Sequence, residues 1–455
     1  MHRLGGNDAN FLYIETPSVH MHIGFTAIFE RPPGEEFTLE HLRALVSSRL
    51  DRLPVLRRRL REVPFGLHHP VWVDDSQFDL EYHVRRLVAL APGGRRELGE
   101  VVADVLSRPL DRSRPLWELD LVEGLADGQF ALVTKVHHAA VDGVSGTELM
   151  TILLSPDPSP IPLGVQPAGS TEKIPDDRQM LFNALGDLMR HPPWFARAPL
   201  ASAPARNDVL ASAGGLPSRW KSPLNATITP HRSVALTDVP LDAVRTVKDR
   251  VGCTVNDVVL ALCAGALRRL VDRSGVTDAP SLVAGVPVSV RTEAERGTMG
   301  NRVSFMLVPL ATDLARPLER LRAIHAHTTA AKDRHDPVEA RALMDWAVAG
   351  GPPLVAQAAR LYSQLRVADI AEPDFHVVVS NIPGPTGALY CANSPMTALY
   401  PTGPLGEGAG LNITLGSYAG QLNMSLITCP EVVPDGDRIA QDLHNELADL
   451  LMATQ

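Results

Sequence analysis

Between Phe130 and Leu153 the apolar spacing of the chain switches from a period of two to that of a helix, and this switch limits the folds open to it. Phe130, Leu132, Thr134 and Val136 fall on one face of an extended strand. Leu149, Ile152 and Leu153 then form the apolar stripe of a helix, with Ser145 and Glu148 at capping-box spacing ahead of it. A half-buried strand that runs into a half-buried helix covers both apolar faces by layering helices on a sheet. The step between the two elements is His137-His138-Ala139-Ala140-Val141-Asp142-Gly143, and no other stretch concentrates ionisable chemistry so tightly. Connections of this kind carry function more often than element interiors, because a rigid scaffold positions them while they stay open to a ligand.

The heptad reads as an acid–base site. Imidazole has a pKa of roughly 6.5, so it accepts a proton near neutral pH with little tuning. In continued extended phase, His138 joins the face of Phe130 and His137 points the other way. A metal site needs several convergent ligands, and neither Cys-x-x-Cys nor His-Glu-x-x-His spacing lies nearby, so no metal is expected. Asp142 has two readings: it polarises a histidine as in a triad, or it holds the loop through a buried arginine. Gly143 reads as a point where backbone passes close to substrate.

Strands and helices mix on both sides of the heptad. Thr38 can cap a helix with Leu39, Leu42, Leu45, Val46, Leu50 and Leu53 on one face, and Trp117 to Val136 reads as a strand pair turning at Asp127-Gly128. Thr254 and Asp257 flank a helix start that runs on through Val258, Leu262 and Leu267. A hairpin pairs the strand from Leu411 with Leu422, Met424 and Leu426 across Tyr418-Ala419-Gly420, and a last helix gathers Ile439, Leu443, Leu447 and Leu450. From Ser155 to about Arg232 the chain turns proline-rich, with a short helix predicted near Met180 to Met189. The fold class is therefore α+β in two lobes, residues 1–155 and 233–455, joined by a linker over 156–232.

Composition narrows the function classes. The 455 residues with 45% hydrophobic content suffice for a large core and exclude disorder as the main state. Lys+Arg 43 against Asp+Glu 52 gives a net charge of −9, which favours neither nucleic acid nor bulk attraction to anionic membranes. Cys253, Cys263, Cys391 and Cys429 are too scattered for a disulfide framework or a zinc ribbon and point to a reducing cytoplasm. Met1 to Glu30 has no basic-then-apolar signal pattern, and no apolar run reaches the roughly 18 residues that span a bilayer.

The heptad matches the motif HHxxxDG, which is moderately specific alone. Five further segments stand in one order with it: Asp111-Arg112-Ser113-Arg114-Pro115-Leu116-Trp117-Glu118, Thr254-Val255-Asn256-Asp257-Val258-Val259-Leu260-Ala261, Pro287-Val288-Ser289-Val290-Arg291, Gly300-Asn301-Arg302-Val303 and Ser380-Asn381-Ile382-Pro383-Gly384-Pro385. With this set the chain resembles, over essentially its whole length, the bacterial wax ester synthase/diacylglycerol acyltransferase family of the coenzyme A dependent acyltransferase superfamily.

The resemblance implies two chloramphenicol acetyltransferase-like lobes with an active-site tunnel between them. It implies transfer of a long-chain acyl group from acyl-coenzyme A, a co-substrate rather than a cofactor, to diacylglycerol or a long-chain fatty alcohol. The product is triacylglycerol or wax ester. A hydroxyl is a poor nucleophile, so a base takes its proton as it attacks the thioester. The family motif assigns that role to His138, leaves His137 to pack or orient, and lets the same imidazolium protonate the leaving thiolate without a covalent intermediate. An arginine after a Pro-Val-x-x segment pairs with the motif aspartate in condensation-type relatives, which implies an Asp142–Arg291 ion pair across the lobes. Asn256 and Asp257 keep two readings, contact near the reacting carbonyl and satisfaction of free N–H groups at a helix start.

Other groups read as structural. Trp117 is expected in the core. Arg57, Arg58, Arg59 and Arg61 read first as a solvated helix face, with coenzyme A phosphates or lipid headgroups as the alternative. Ser380 to Pro385 reads as a turn after a strand over Phe375 to Val379. One departure from the family falls at Leu4-Gly5-Gly6-Asn7-Asp8, where glycine replaces a serine and is expected to loosen an opening strand. Apolar substrates partition into bilayers and droplets, so the resemblance implies a cytoplasmic protein with peripheral attachment to membrane or lipid droplets. The rival readings are a transferase that uses a carrier-bound donor or a polyketide diol, a thioester hydrolase, and a non-catalytic lipid-droplet binding protein.

Overall fold

The alternation around Phe130 does form a strand, and it runs through the middle of a sheet. The computed structural model describes residues 2–32, 34, 36–141, 143–159, 176–190, 220–289, 303–334 and 352–455. Its strands are β1 (His2–Arg3), β2 (His22–Phe29), β3 (Arg58–Arg61), β4 (Val71–Asp74), β5 (Val84–Val88), β6 (Trp117–Glu123), β7 (Phe130–His137) and β8 (Ser233–Pro240). These are followed by β9 (Val283–Ser289), β10 (Val303–Pro309), β11 (Val377–Ile382), β12 (Tyr390–Cys391), β13 (Ser394–Thr402), β14 (Leu411–Tyr418) and β15 (Gln421–Thr428). The α-helices are α1 (Gly6–Tyr13), α2 (Leu39–Arg49), α3 (Leu80–His83), α4 (Arg95–Ser107), α5 (Gly143–Leu153) and α6 (Asp177–Arg190). After them come α7 (Leu241–Val251), α8 (Val255–Arg273), α9 (Pro317–Arg334), α10 (Pro352–Gln364) and α11 (Gly436–Ala453).

Two six-stranded sheets carry the α+β fold in two lobes, in the orders β12-β13-β2-β7-β6-β5 and β10-β9-β11-β14-β15-β8, beside a small β1-β4-β3 sheet. On one side of the first sheet Phe25, Phe130, Leu132 and Val136 pack with Leu42 and Leu45 of α2 and Leu149 and Leu153 of α5. Its other side shares a core with the second sheet, where Val133, Val102 and Tyr400 meet Val234, Leu236 and Ile427. The helices α8 and α11 cover the far face of the second sheet through Val258, Leu262, Ile439 and Leu443. β13 pairs antiparallel with β2, from Met396↔Phe29 to Thr402↔Gly24, so residues expected with the second lobe complete the first sheet.

Local expectations are met where the signal is local. Thr38 caps α2 through the N–H of His41, and the Phe130 strand pairs with β6 across a turn in which Asp127 has φ 57°. The β14–β15 hairpin turns on Ala419 (φ 48°) and Gly420 (φ 77°), two left-handed residues as a two-residue hairpin loop requires. Other boundaries shift. α2 ends at Arg49, and Leu50 and Leu53 follow it in tight turns that are nonetheless fully buried. α5 begins at Gly143, so Ser145 lies inside the helix rather than at its cap. β11 runs through Ile382, because Ser380, Asn381 and Ile382 pair with Thr414, Leu415 and Gly416, and the turn begins only at Pro383.

Two further expectations are corrected. The segment after Leu4 is the helix α1, not a strand; Gly5 stands at its N-cap without a side-chain cap, where a serine oxygen would satisfy a backbone N–H. The arginine row lies on and beside β3, not on a helix face. Arg57, Arg58, Arg59 and Arg61 face Asp51, Asp74, Asp75 and Asp177, so neighbouring carboxylates balance their charge. No single helix among the described residues is long and apolar enough to cross a membrane.

Candidate functional site

β7 ends at His137, and the chain then leaves the extended conformation. The N–H of His137 donates to Leu116 O at 3.0 Å, that of His138 to Met21 O at 2.8 Å, and that of Ala140 back to His137 O at 2.9 Å, closing a turn over residues 138–140. The half-buried ring of His138 lies flat against Phe11 of α1, with centroids 4.1 Å apart and planes 4° from parallel. Beyond the turn α5 crosses β2 so closely that a Cβ on Gly146 would stand 2.5 Å from Phe25 Cε2.

His137 points to the other side and is 1% exposed. Its Nδ1 accepts the N–H of Ala139 at 3.0 Å, which leaves the proton of a neutral ring on Nε2. That Nε2 faces Glu15 Oε2 at 3.4 Å. Arg112 holds the same carboxylate oxygen at 2.6 Å from Nη2 and 3.2 Å from Nε, and it also donates to Leu12 O. The other oxygen, Glu15 Oε1, accepts the N–H of Met21 at 3.2 Å and lies 3.6 Å from His22 Nε2. Burial by itself would raise the Glu15 pKa; the contact with His137 and the charge of the Arg112 guanidinium outweigh it and hold the carboxyl well below the usual range. His22, opposite His137 in the β2–β7 register, is pushed well below the ordinary imidazole value by burial and then by His137 and Lys135.

Glu15, Arg112, His22 and Phe11 are residues that sequence reasoning missed. Arg112 lies in one of the segments that carry the family resemblance, yet nothing in its spacing signals a role. Glu15 has no spacing relation to residue 137, and only the pairing of β2 with β7 joins them. Trp117 is core as expected, 3% exposed, with Nε1 donating to Leu56 O at 2.7 Å.

The remaining expected residues fall elsewhere. Asp142 and Arg291, and with them the expected ion pair, lie outside the described residues, as do Gly300 to Arg302 and most of the linker. Gly143 opens α5. Asp257 is fully buried in the second lobe: its carboxylate accepts the N–H of Thr254 at 2.9 Å and the hydroxyl of Thr328 at 2.6 Å, and meets His325 Nδ1 at 2.8 Å. This is a capping box extended by two side chains of α9, the structural side of the two readings. Asn256 follows Val255 in the same first turn, half-buried. The seam between the sheets runs past α5, where Thr147 Oγ1 donates to Pro383 O at 3.4 Å. A narrow crevice lies there, lined among others by Phe25, Thr147, Pro383, Leu399 and Ser417.

Residues 4–259 match the model of the wax ester synthase/diacylglycerol acyltransferase catalytic domain, and residues 299–451 match that of the WS/DGAT C-terminal domain. A Mycobacterium tuberculosis protein provisionally named a diacylglycerol O-acyltransferase is 36% identical over 461 residues, covering 99% of this chain and 90% of the relative. Another from that organism, also provisionally named so, is 35% identical over 454 residues, 98% of each chain. Among solved structures, the wax ester synthase/diacylglycerol acyltransferase from Marinobacter aquaeolei VT8 superposes with a TM-score of 0.71 and 29% identity over 99% of both chains. The first condensation domain of the calcium-dependent antibiotic synthetase shares the fold, with a TM-score of 0.60 and 15% identity over 100% of this chain and 96% of its own.

Proposed function

This chain belongs to the wax ester synthase/diacylglycerol acyltransferase family and is an acyltransferase, and we propose that it moves a long-chain acyl group from acyl-coenzyme A to the hydroxyl of diacylglycerol or a long-chain alcohol, with His138 as the general base. His138 takes the hydroxyl proton as the oxygen attacks the thioester carbonyl. The carbon–sulfur bond breaks, the ester forms, and the imidazolium returns the proton to the leaving thiolate, so ester and free coenzyme A are the products. No covalent enzyme intermediate is required, and acyl-coenzyme A is consumed as a co-substrate with no resident cofactor. Asp142 and Arg291 are assigned to hold the loop across the lobes, Gly143 to allow close approach of backbone, and Asn256 to line the second-lobe side of the site. Such apolar substrates are drawn from a bilayer or droplet surface, at which the protein attaches peripherally.

The observation that supports this reading best is the setting of His138. It sits at the end of a central strand, half-buried, with its backbone N–H held by Met21 and its ring braced flat on Phe11. A base so held reaches a bound hydroxyl with little reorganisation.

The test is thiol release from palmitoyl-coenzyme A with hexadecanol, with diacylglycerol and with neither, in the wild type and in His138→Ala, with the lipid products identified. Acceptor-dependent release that falls about 100- to 10,000-fold in the variant is expected from loss of a general base. Release without acceptor would instead make the protein a hydrolase. No release under any condition would point to a carrier-bound donor or a non-catalytic role.

A further inference from the structure

We propose that Glu15 is a positioning residue for acyl transfer, whose carboxylate sets the tautomer of His137 and, through it and Met21, the placement of His138. The inference rests on the assignment of His138 as the base. It adds a residue to that site which carries no motif and lies outside the heptad.

Two chains of contact start from the one carboxylate. Through Oε2 it faces His137 Nε2 at 3.4 Å. An anion there favours the tautomer with the proton on Nε2, and only that neutral tautomer leaves Nδ1 free to accept the N–H of Ala139 at 3.0 Å. Ala139 is the residue after His138, so the tautomer of His137 fixes the turn on which His138 rides. Through Oε1 the carboxylate accepts the N–H of Met21 at 3.2 Å, and Met21 O in turn accepts the N–H of His138 at 2.8 Å. His138 is thereby held on its N-terminal side by one oxygen of Glu15 and on its C-terminal side by the other.

Arg112 makes this arrangement rigid. Its guanidinium binds Oε2 through two nitrogens and ties the carboxylate to Leu12 O at the end of α1, the helix whose Phe11 supports the His138 ring. A glutamate side chain 12% exposed, held by Arg112 and the N–H of Met21 and faced by His137 and His22, is not a surface charge. Glutamine in its place keeps the shape and one acceptor oxygen but loses the anion. Its amide group can then present N–H toward His137 Nε2, which favours the opposite tautomer and releases Ala139.

The experiment compares Glu15→Gln, Glu15→Asp and His138→Ala with the wild type by kcat and KM for palmitoyl-coenzyme A at saturating acceptor, together with Tm. Glu15→Gln is expected to lower kcat by about tenfold or more while KM stays within about threefold, with the assay run well below its Tm. Glu15→Asp, which keeps the anion, is expected to recover part of the lost kcat. A wild-type kcat in Glu15→Gln with a lowered Tm means a role in folding alone and overturns the proposal, as does Glu15→Asp no faster than Glu15→Gln. If Glu15→Gln does not fold, Arg112→Lys reads the same link by loosening the carboxylate: a kcat loss of about threefold or more at constant KM supports it, and wild-type kcat overturns it. His138→Ala separates the two ideas, because wild-type turnover there refutes the base itself, whereas turnover lost there but kept in Glu15→Gln refutes only the positioning role.

Discussion

Lys135 illustrates how much of the site's rigidity comes from single buried charges. It lies two residues before His137 on β7, is 0% exposed, and donates through Nζ to Val105 O at 2.9 Å and Arg108 O at 3.1 Å while pairing with Glu118 at 2.8 Å. Burial lowers its pKa against the pull of Glu118; Glu118, also pressed upward by burial, is held below its ordinary value by Lys135 and Arg85. Truncating one partner of such a pair leaves the other buried and under-compensated, which typically costs about 3–5 kcal/mol. Arg85 stays beside Glu118 at 2.7 Å, so Lys135→Met is expected at the lower end of that range, read as a fall in the urea midpoint with unchanged slope. An unshifted midpoint would show that the pair contributes nothing net. The same scale separates the two histidines: His137 is fully buried, with Nδ1 accepting the N–H of Ala139 and Nε2 facing Glu15, and His138 is the half-buried one stacked on Phe11.

At the scale of elements, the contact that matters most is α5 crossing β2. Helix and strand approach so closely at Gly146 that a Cβ would meet Phe25 Cε2 at 2.5 Å and Cζ at 2.8 Å, and Phe25 is itself locked in the core beneath α2 and α5. Gly146→Ala therefore has to lift the helix that begins directly after the heptad. Overpacking of this kind costs about 1–3 kcal/mol, so Tm and kcat should fall together; a variant with wild-type Tm and kcat would mean that Phe25 has room to turn aside. A comparable close approach fixes Gly384, where a Cβ would stand 1.7 Å from Ser417 O, and it keeps the Pro383 turn against the end of β14 at the seam.

Across the whole molecule, stability is tied to pH through histidines buried in the neutral form. His20, His22, His69, His83 and His376 all have pKa values lowered, first by burial, with His69 brought to about 4. In the unfolded chain each titrates near roughly 6.5. The unfolded state therefore binds more protons below that pH, and the stability these groups contribute is complete above about 6.5 and is lost as pH falls toward about 4. Depressed carboxylates such as Glu15 add a second loss as pH falls below about 4.3. The urea midpoint should thus decline from about pH 6.5 downward, before carboxylates begin to protonate, whereas a midpoint flat between pH 7 and 5 would contradict neutral burial of these rings.

Much of the fold was legible in the sequence, and about half of the site. The strand–loop–helix of the heptad, the Thr38 and Thr254 caps, the β14–β15 hairpin and α11 all declare themselves locally, because apolar periodicity and capping record which face of one element is buried. The heptad and its companion segments were also enough to suggest the family. What the sequence could not determine is which faces meet. Glu15 reaches His137 only because β2 lies beside β7 in a register that sets His22 opposite His137, and a shift of one residue would send that whole face the other way. β13 returns to the first sheet, and aspartates from separate segments neutralise the arginines of β3, by the same non-local pairing. The sequence by itself determined the elements and the reactive heptad, since those follow from short-range geometry. Tertiary structure alone decided the partners of the histidines, since they come from strands and loops distant in the chain that only the packed sheets bring together.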